Sequence, residues 1–170
     1  MSRLEWLNGL PFDEARAEFL RCCGVERWAE AMARERPFRN DEALFQESER
    51  LWSTQGPPEW REAMGHHPRI GDVSRLREKY KATGAWSEQE QRGMDGAGED
   101  VIQALADGNR AYEERFGFIF LVCATGKSAA QMLGLLRERM NNPPDQELRV
   151  AAGEQAKITR IRLEKLLTSP

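Results

Sequence analysis

No stretch of this sequence approaches the roughly 20 consecutive apolar residues that cross a bilayer, so no helical membrane span is expected. Cysteine is scarce and odd in number: Cys22, Cys23 and Cys123, the first two adjacent on an expected helix. That spacing supports neither a disulfide framework nor a zinc site, and it fits reduced thiols. Histidine is scarcer still, with only His66 and His67 in the chain. As immediate neighbours they lack the spacing of a metal-ligand pair, so no metal is expected. Excess positive charge is also missing. The net charge is -3, the signs are mixed along the chain, and there is no electrostatic case for nucleic acid or for a membrane surface. Met1-Ser2-Arg3-Leu4-Glu5-Trp6 lacks the apolar run of a secretory signal, and Leu167-Thr168-Ser169-Pro170 is not the Ser-Lys-Leu peroxisomal address. A soluble, cytoplasmic protein is the expectation.

What is present is helical periodicity. With 170 residues and 40% hydrophobic content, the chain suits one domain, 1–170, with a real core. Asp13 is expected to cap a helix carrying Ala17, Phe19, Leu20 and Cys23, ending near Gly24. A second helix, over about 25–34, carries Trp28, Ala31 and Met32. A third, opened by Asp41, places Leu44, Phe45, Ser48, Leu51 and Trp52 on one face. Short helices are expected over 58–64 and 73–81, another from Ser87, and a long one over 101–115. Ser128 and Gln131 form a capping box for a helix through Met140. Asn141-Asn142-Pro143-Pro144 then breaks the chain before a last long helix reaching about Leu167. Between them, Phe116 to Ala124 is the most apolar segment and the least helical in pattern. With no second strand to pair with, it reads as buried, partly extended chain. The fold class is all-α, a compact single-domain bundle of about eight or nine helices.

Four places could carry chemistry. His67 lies in Gly65-His66-His67-Pro68-Arg69-Ile70-Gly71-Asp72, where Pro68 drives it towards extended backbone on a short loop. There it either satisfies a turn or serves as a group titrating near neutrality. Ser87-Glu88-Gln89-Glu90-Gln91 is a capping box, and a helix start flanked by a carboxylate and an amide also suits a polar ligand. Arg162 shares an apolar stripe with Ile158 and Leu166; it either snorkels to water or is held by a carboxylate or ligand anion. Arg160 reads as solvated. The fourth is the apolar segment, whose main-chain groups need partners that a flat heterocyclic amide could supply. Thr125-Gly126-Lys127-Ser128 has the tail of a phosphate-binding loop, but Leu121 occupies the upstream glycine position, which removes that reading. No nucleophile-elbow sequence supports a serine hydrolase.

In order, the chain carries Leu7-Asn8-Gly9-Leu10-Pro11-Phe12, Arg36-Pro37-Phe38, His67-Pro68-Arg69-Ile70-Gly71 and Ser87-x-x-Glu90-Gln91. Then come Asn109-x-x-Tyr112-x-x-x-Phe116-Gly117-Phe118-x-Phe120, Gly126-x-Ser128 and Ile158-x-Arg160-Ile161-Arg162-Leu163. Over nearly its whole length this resembles the 2-oxo-4-hydroxy-4-carboxy-5-ureidoimidazoline (OHCU) decarboxylase family. The resemblance implies an all-helical fold, commonly homodimeric, that converts OHCU to (S)-allantoin without a cofactor in the last step from urate. It implies His67 as catalytic acid/base, Pro68 beside it, and Arg162 as the catalytic arginine. Ser87, Glu90 and Gln91 would contact substrate, with Glu90 also counted as catalytic. The main chain of Phe120, Leu121, Val122, Cys123 and Ala124 would hold the heterocycle. Two departures stand out: Ile119 replaces a proline found in many members, and doubled Glu-Gln pairs make the register ambiguous, resolved by the Ser-x-x-Glu-Gln spacing. Rival readings are a non-catalytic helical module binding a ureido heterocycle and a related enzyme acting on another ureide.

Overall fold

The computed structural model describes residues 1–67, 75, 76, 78 and 97–169. Among them are eight helices: α1 (Arg3–Gly9), α2 (Phe12–Cys22), α3 (Glu26–Arg34), α4 (Asp41–Ser53), α5 (Pro57–Gly65), α6 (Ala97–Phe116), α7 (Ala129–Arg139) and α8 (Pro144–Thr168). No strand occurs among the described residues, and the fold is all-α as its periodicity predicts. None of the described helices is long and apolar enough to cross a membrane. The helices expected over 73–81 and from Ser87 fall outside the described residues, apart from Arg75, Leu76 and Glu78.

The chain divides into two compact units, one made of 1–66 with 150–170 and the other of 67–149. In the first, α2, α3 and α4 pack in succession. The face of α4 is the one its spacing predicts: Leu44, Phe45, Ser48, Leu51 and Trp52 are all buried. Phe19 sets its ring edge-on to Trp28 at 6.0 Å and to Phe38 at 6.4 Å, arrangements that aromatic quadrupoles favour. Both buried indoles also find acceptors, Trp28 Nε1 donating to the Ser48 carbonyl at 3.3 Å and Trp52 Nε1 to that of Ala152 at 3.0 Å.

Two of the conspicuous motifs have structural work here. Asn8 exchanges a pair of hydrogen bonds with Phe38: Nδ2 donates to the Phe38 carbonyl and Oδ1 accepts from its N–H, both at 2.9 Å. Arg36 donates from Nη1 to the carbonyls of Leu7 at 2.9 Å and Leu10 at 2.7 Å, and from Nε to Ala33 at 2.9 Å. These carbonyls belong to helix ends, where intrahelical partners run out. The Arg36–Pro37 peptide bond is cis.

Three local expectations need correction. Asp13 lies inside the first turn of α2 rather than capping it; Pro11 is the N-cap, and the carboxylate acts on the helix dipole instead. The buried face of α2 is Ala15, Phe19 and Cys22 while Ala17 is exposed, because the 3.6-residue period carries i, i+4 and i+7 together. At α4 the cap is Asn40, whose side chain accepts from the Ala43 N–H at 2.8 Å, and Asp41 is the first helical residue.

The second unit has its own core, in which α6 packs on α7 with Leu76, Ile102, Leu105, Met132 and Leu136 buried. Residues 117–128 run irregularly between these helices and bury Phe118, Leu121 and Cys123, as the apolar pattern predicts. Gly117 (φ 76°) and Gly126 (φ 75°) bracket the segment. Both adopt the left-handed conformation that a Cβ disfavours, which lets the chain leave α6 and turn into α7. Ser128 then closes the expected capping box: its Oγ accepts from Gln131 N–H at 3.2 Å, and Gln131 Oε1 accepts from Ser128 N–H at 2.8 Å.

Candidate functional site

His67 is half-buried and follows directly on the end of α5, whose C-cap is His66. What fixes this end of the helix is close packing. A Cβ built on Gly24 would lie 2.5 Å from Cγ, 2.6 Å from Cδ2 and 2.9 Å from Cβ of His66. The base of the His66 side chain therefore rests on bare backbone in the α2–α3 turn. Pro68, Ser87, Glu90 and Gln91 lie outside the described residues.

Arg162 sits on α8 and is half-buried. Its Nη1 donates to the Cys22 carbonyl at 3.4 Å. Cys22 ends α2, so the guanidinium caps a helix C-terminus, where orphan carbonyls and the dipole both favour a cation. The anchor seen here is a main-chain oxygen. Burial pushes the Cys22 thiol up to about 12 and that of Cys23 to about 11, with Arg162 opposing the rise in both. Neither thiol is a nucleophile at neutral pH. The neighbouring Arg160 is not simply solvated: its guanidinium lies 3.8 Å over the Phe45 ring and pairs with Glu164 at 2.8 Å.

The candidate contact segment is held by a buried polar group that periodicity did not reveal. Glu147 is fully buried, and Arg139 is 7% exposed. Glu147 Oε1 accepts from Arg139 Nε at 2.6 Å and from Tyr112 Oη at 2.5 Å, while Asn142 Nδ2 donates to Oε2 at 2.8 Å. Arg139 Nη1 also reaches the Leu121 carbonyl at 2.7 Å, and the guanidinium stacks 4.6 Å from the Phe120 ring centre. Tyr112 packs against Phe116, Phe118 and Phe120, which accounts for the aromatic spacing of that motif. Burial, then the bond to Glu147, drives the Tyr112 phenol well above its usual range, so it stays a neutral donor. The only available signal was a Pro-Pro helix start followed by a glutamate three residues on, which reads as ordinary dipole complementarity. Two further carbonyls are taken: Cys123 accepts from Lys127 Nζ at 2.7 Å, and Ala124 from Lys127 N–H at 3.1 Å. Among the described residues no cluster of three or more His, Cys, Asp or Glu could hold a metal ion.

Against known proteins, the family model for OHCU decarboxylase matches residues 8–164. The uric acid degradation bifunctional protein TTL of Arabidopsis thaliana is 33% identical over 147 residues, 86% of this chain and 45% of that protein. The 2-oxo-4-hydroxy-4-carboxy-5-ureidoimidazoline decarboxylase of Mus musculus is 39% identical over 80 residues, 47% of this chain and 45% of its own length. The chain thus spans less than half the length of these curated relatives. A crystal structure of OHCU decarboxylase in the presence of (S)-allantoin matches with a TM-score of 0.72 at 34% identity, covering 89% of this chain and 98% of that one. A crystal structure of (S)-allantoin synthase, at 17% identity and a TM-score of 0.69 over 96% of this chain and 53% of that one, shares the fold. With the model matched from residue 8 to 164 and an all-helical fold to go with it, this chain belongs to the OHCU decarboxylase family.

Proposed function

We propose that the protein is a carboxy-lyase that decarboxylates OHCU to (S)-allantoin without a cofactor. The observation that carries this reading is the nearly full-length family match, over residues 8–164. A relative solved in the presence of (S)-allantoin supports the same product.

The substrate's own chemistry supplies the electron sink. Its carboxylate sits on a ring carbon next to a C=N bond. When the carbon–carbon bond breaks, carbon dioxide leaves and the electron pair moves towards that C=N. A proton then returns to one face of the former C=N carbon, which sets the configuration. Three tasks remain for the protein: orienting the scissile bond, stabilising the negative charge and delivering the proton. His67 takes the proton work, for which general acid/base catalysis typically supplies about 10²–10⁴-fold. Arg162 stabilises the charge, its guanidinium already fastened to the end of α2 by the Cys22 carbonyl. Ser87, Glu90 and Gln91 grip the ureido and ring amide groups, with Pro68 shaping the pocket wall. The main chain of Phe120–Ala124 holds the heterocycle. We place the enzyme in the cytoplasm as a single-domain homodimer; light scattering on the purified protein tests the dimer.

The deciding experiment feeds urate-oxidation intermediates, generated in place, to the protein and follows circular dichroism for optically active allantoin. Rapid appearance of the (S) enantiomer is expected, and racemic product at the spontaneous rate rejects the activity. A binding module without catalysis would hold (S)-allantoin in calorimetry and leave that rate untouched.

A further inference from the structure

We propose that Arg139 is a positioning residue that aims the main-chain donors of the segment Phe120–Ala124 at the substrate, with Lys127 as a second pin. This deepens the reading above and rests on its assignment of residues 120–124 to substrate contact. Stability alone is a poor reason for the arrangement. Buried ion pairs are commonly no more stabilising than apolar side chains of the same volume, because desolvation consumes the Coulombic gain. What the pair does supply is direction. Glu147 takes Nε and Nη2 of Arg139, with Tyr112 and Asn142 holding the carboxylate in turn. The guanidinium plane is thereby fixed, and its remaining edge places Nη1 2.7 Å from the Leu121 carbonyl.

A peptide unit is planar and trans, so its carbonyl and the following N–H point in opposite directions. Fastening the Leu121 carbonyl towards Arg139 turns the Val122 N–H to the other side. Lys127 Nζ fastens the Cys123 carbonyl at 2.7 Å and so turns the Ala124 N–H likewise. Each of the two N–H groups, of Val122 and Ala124, is thereby held pointing away from a pinned carbonyl, and each suits a carbonyl or carboxylate oxygen of a ureido ring. Phe120, stacked under the guanidinium at 4.6 Å, fixes the start of the same stretch.

The test combines Arg139→Lys, Lys127→Met and Tyr112→Phe with KM, kcat, (S)-allantoin affinity by calorimetry and hydrogen exchange over 117–128. Lysine keeps the charge at 139 but cannot hold carboxylate and carbonyl in one fork. Arg139→Lys is expected to raise KM and the allantoin Kd about ten-fold or more, with kcat moving less, and to speed exchange across the segment. Tyr112→Phe removes one of the bonds that steady the Glu147 carboxylate and leaves both Arg139 bonds to it, so it should raise KM in the same direction as Arg139→Lys but by no more than about three-fold. A folded Arg139→Lys protein with wild-type KM and Kd overturns the proposal. Should that variant not fold, the half-buried Lys127 decides: a KM raised about three-fold or more supports the pinning, and unchanged KM and exchange in Lys127→Met reject it. If the wild-type protein makes no (S)-allantoin, the proposed activity fails by itself, and exchange over 117–128 still reads whether Arg139 holds the segment.

Discussion

At the scale of single residues, the α2–α3 turn touches two positions that matter. Cys22 lends its carbonyl to Arg162, and Gly24 lends its missing side chain to His66, the residue before His67. Because the close atoms of His66 include Cβ and Cγ, no rotation of the ring relieves a new methyl at 24. Gly24→Ala should therefore cost about 1–3 kcal/mol, as overpacking typically does, and reduce turnover as well. His66→Ala in the same protein should restore most of the stability, and a double-mutant cycle in denaturant reads that coupling. His67→Ala should abolish catalysed production of (S)-allantoin while the far-ultraviolet spectrum stays helical. Undiminished enantiopure product from that variant would take His67 out of the mechanism. Arg162→Lys should lose most activity, since a point charge replaces neither the cap on Cys22 nor a fork on a carboxylate.

At the scale of elements, caps and turns decide where helices begin, and these proved the least legible features. Asn40 and Asp41 are both good caps, and only the side-chain bond to Ala43 N–H selects Asn40. Ser128 was readable because Gln131 stands three residues later and the apolar run follows. Replacing Ser128 by Ala should cost about 1 kcal/mol, measured as a lower midpoint in urea, because the α7 start loses a cap. Gly126→Ala should cost more than the usual gain of about 0.4–1 kcal/mol for such a change, since φ there is 75°. Both substitutions act where residues 120–124 lead into α7, so each should also raise KM if those residues hold substrate.

At the scale of the whole molecule, stability should fall in alkali. Cys22 and Cys23 have folded values raised to about 12 and 11 from an ordinary thiol value of 9.0. Above the ordinary value the unfolded chain loses these protons while the folded chain keeps them. Their contribution is therefore complete below about pH 9 and is lost as pH rises through the folded values. Thermal midpoints of wild type and a Cys22→Ala/Cys23→Ala pair should differ by a constant up to about pH 9 and converge above it. Iodoacetamide at pH 8 should label neither thiol until denaturant is added, a result mass spectrometry reads directly.

Most of the helical organisation was legible from the sequence alone, because apolar spacing at 3.6 residues is itself the record of burial on one face. The buried set of α4, the irregular run after Phe116 and the capping box at Ser128 all follow from local pattern. The order of the motifs likewise led to the family. Tertiary structure alone decided how the polar side chains are used. Neither the exchange between Asn8 and Phe38, nor the Cys22 carbonyl under Arg162, nor the Arg139–Glu147–Tyr112 group leaves a periodic trace. Each joins residues remote in sequence through directional bonds of a single geometry, and such bonds exist only once packing has brought their partners to within hydrogen-bonding distance.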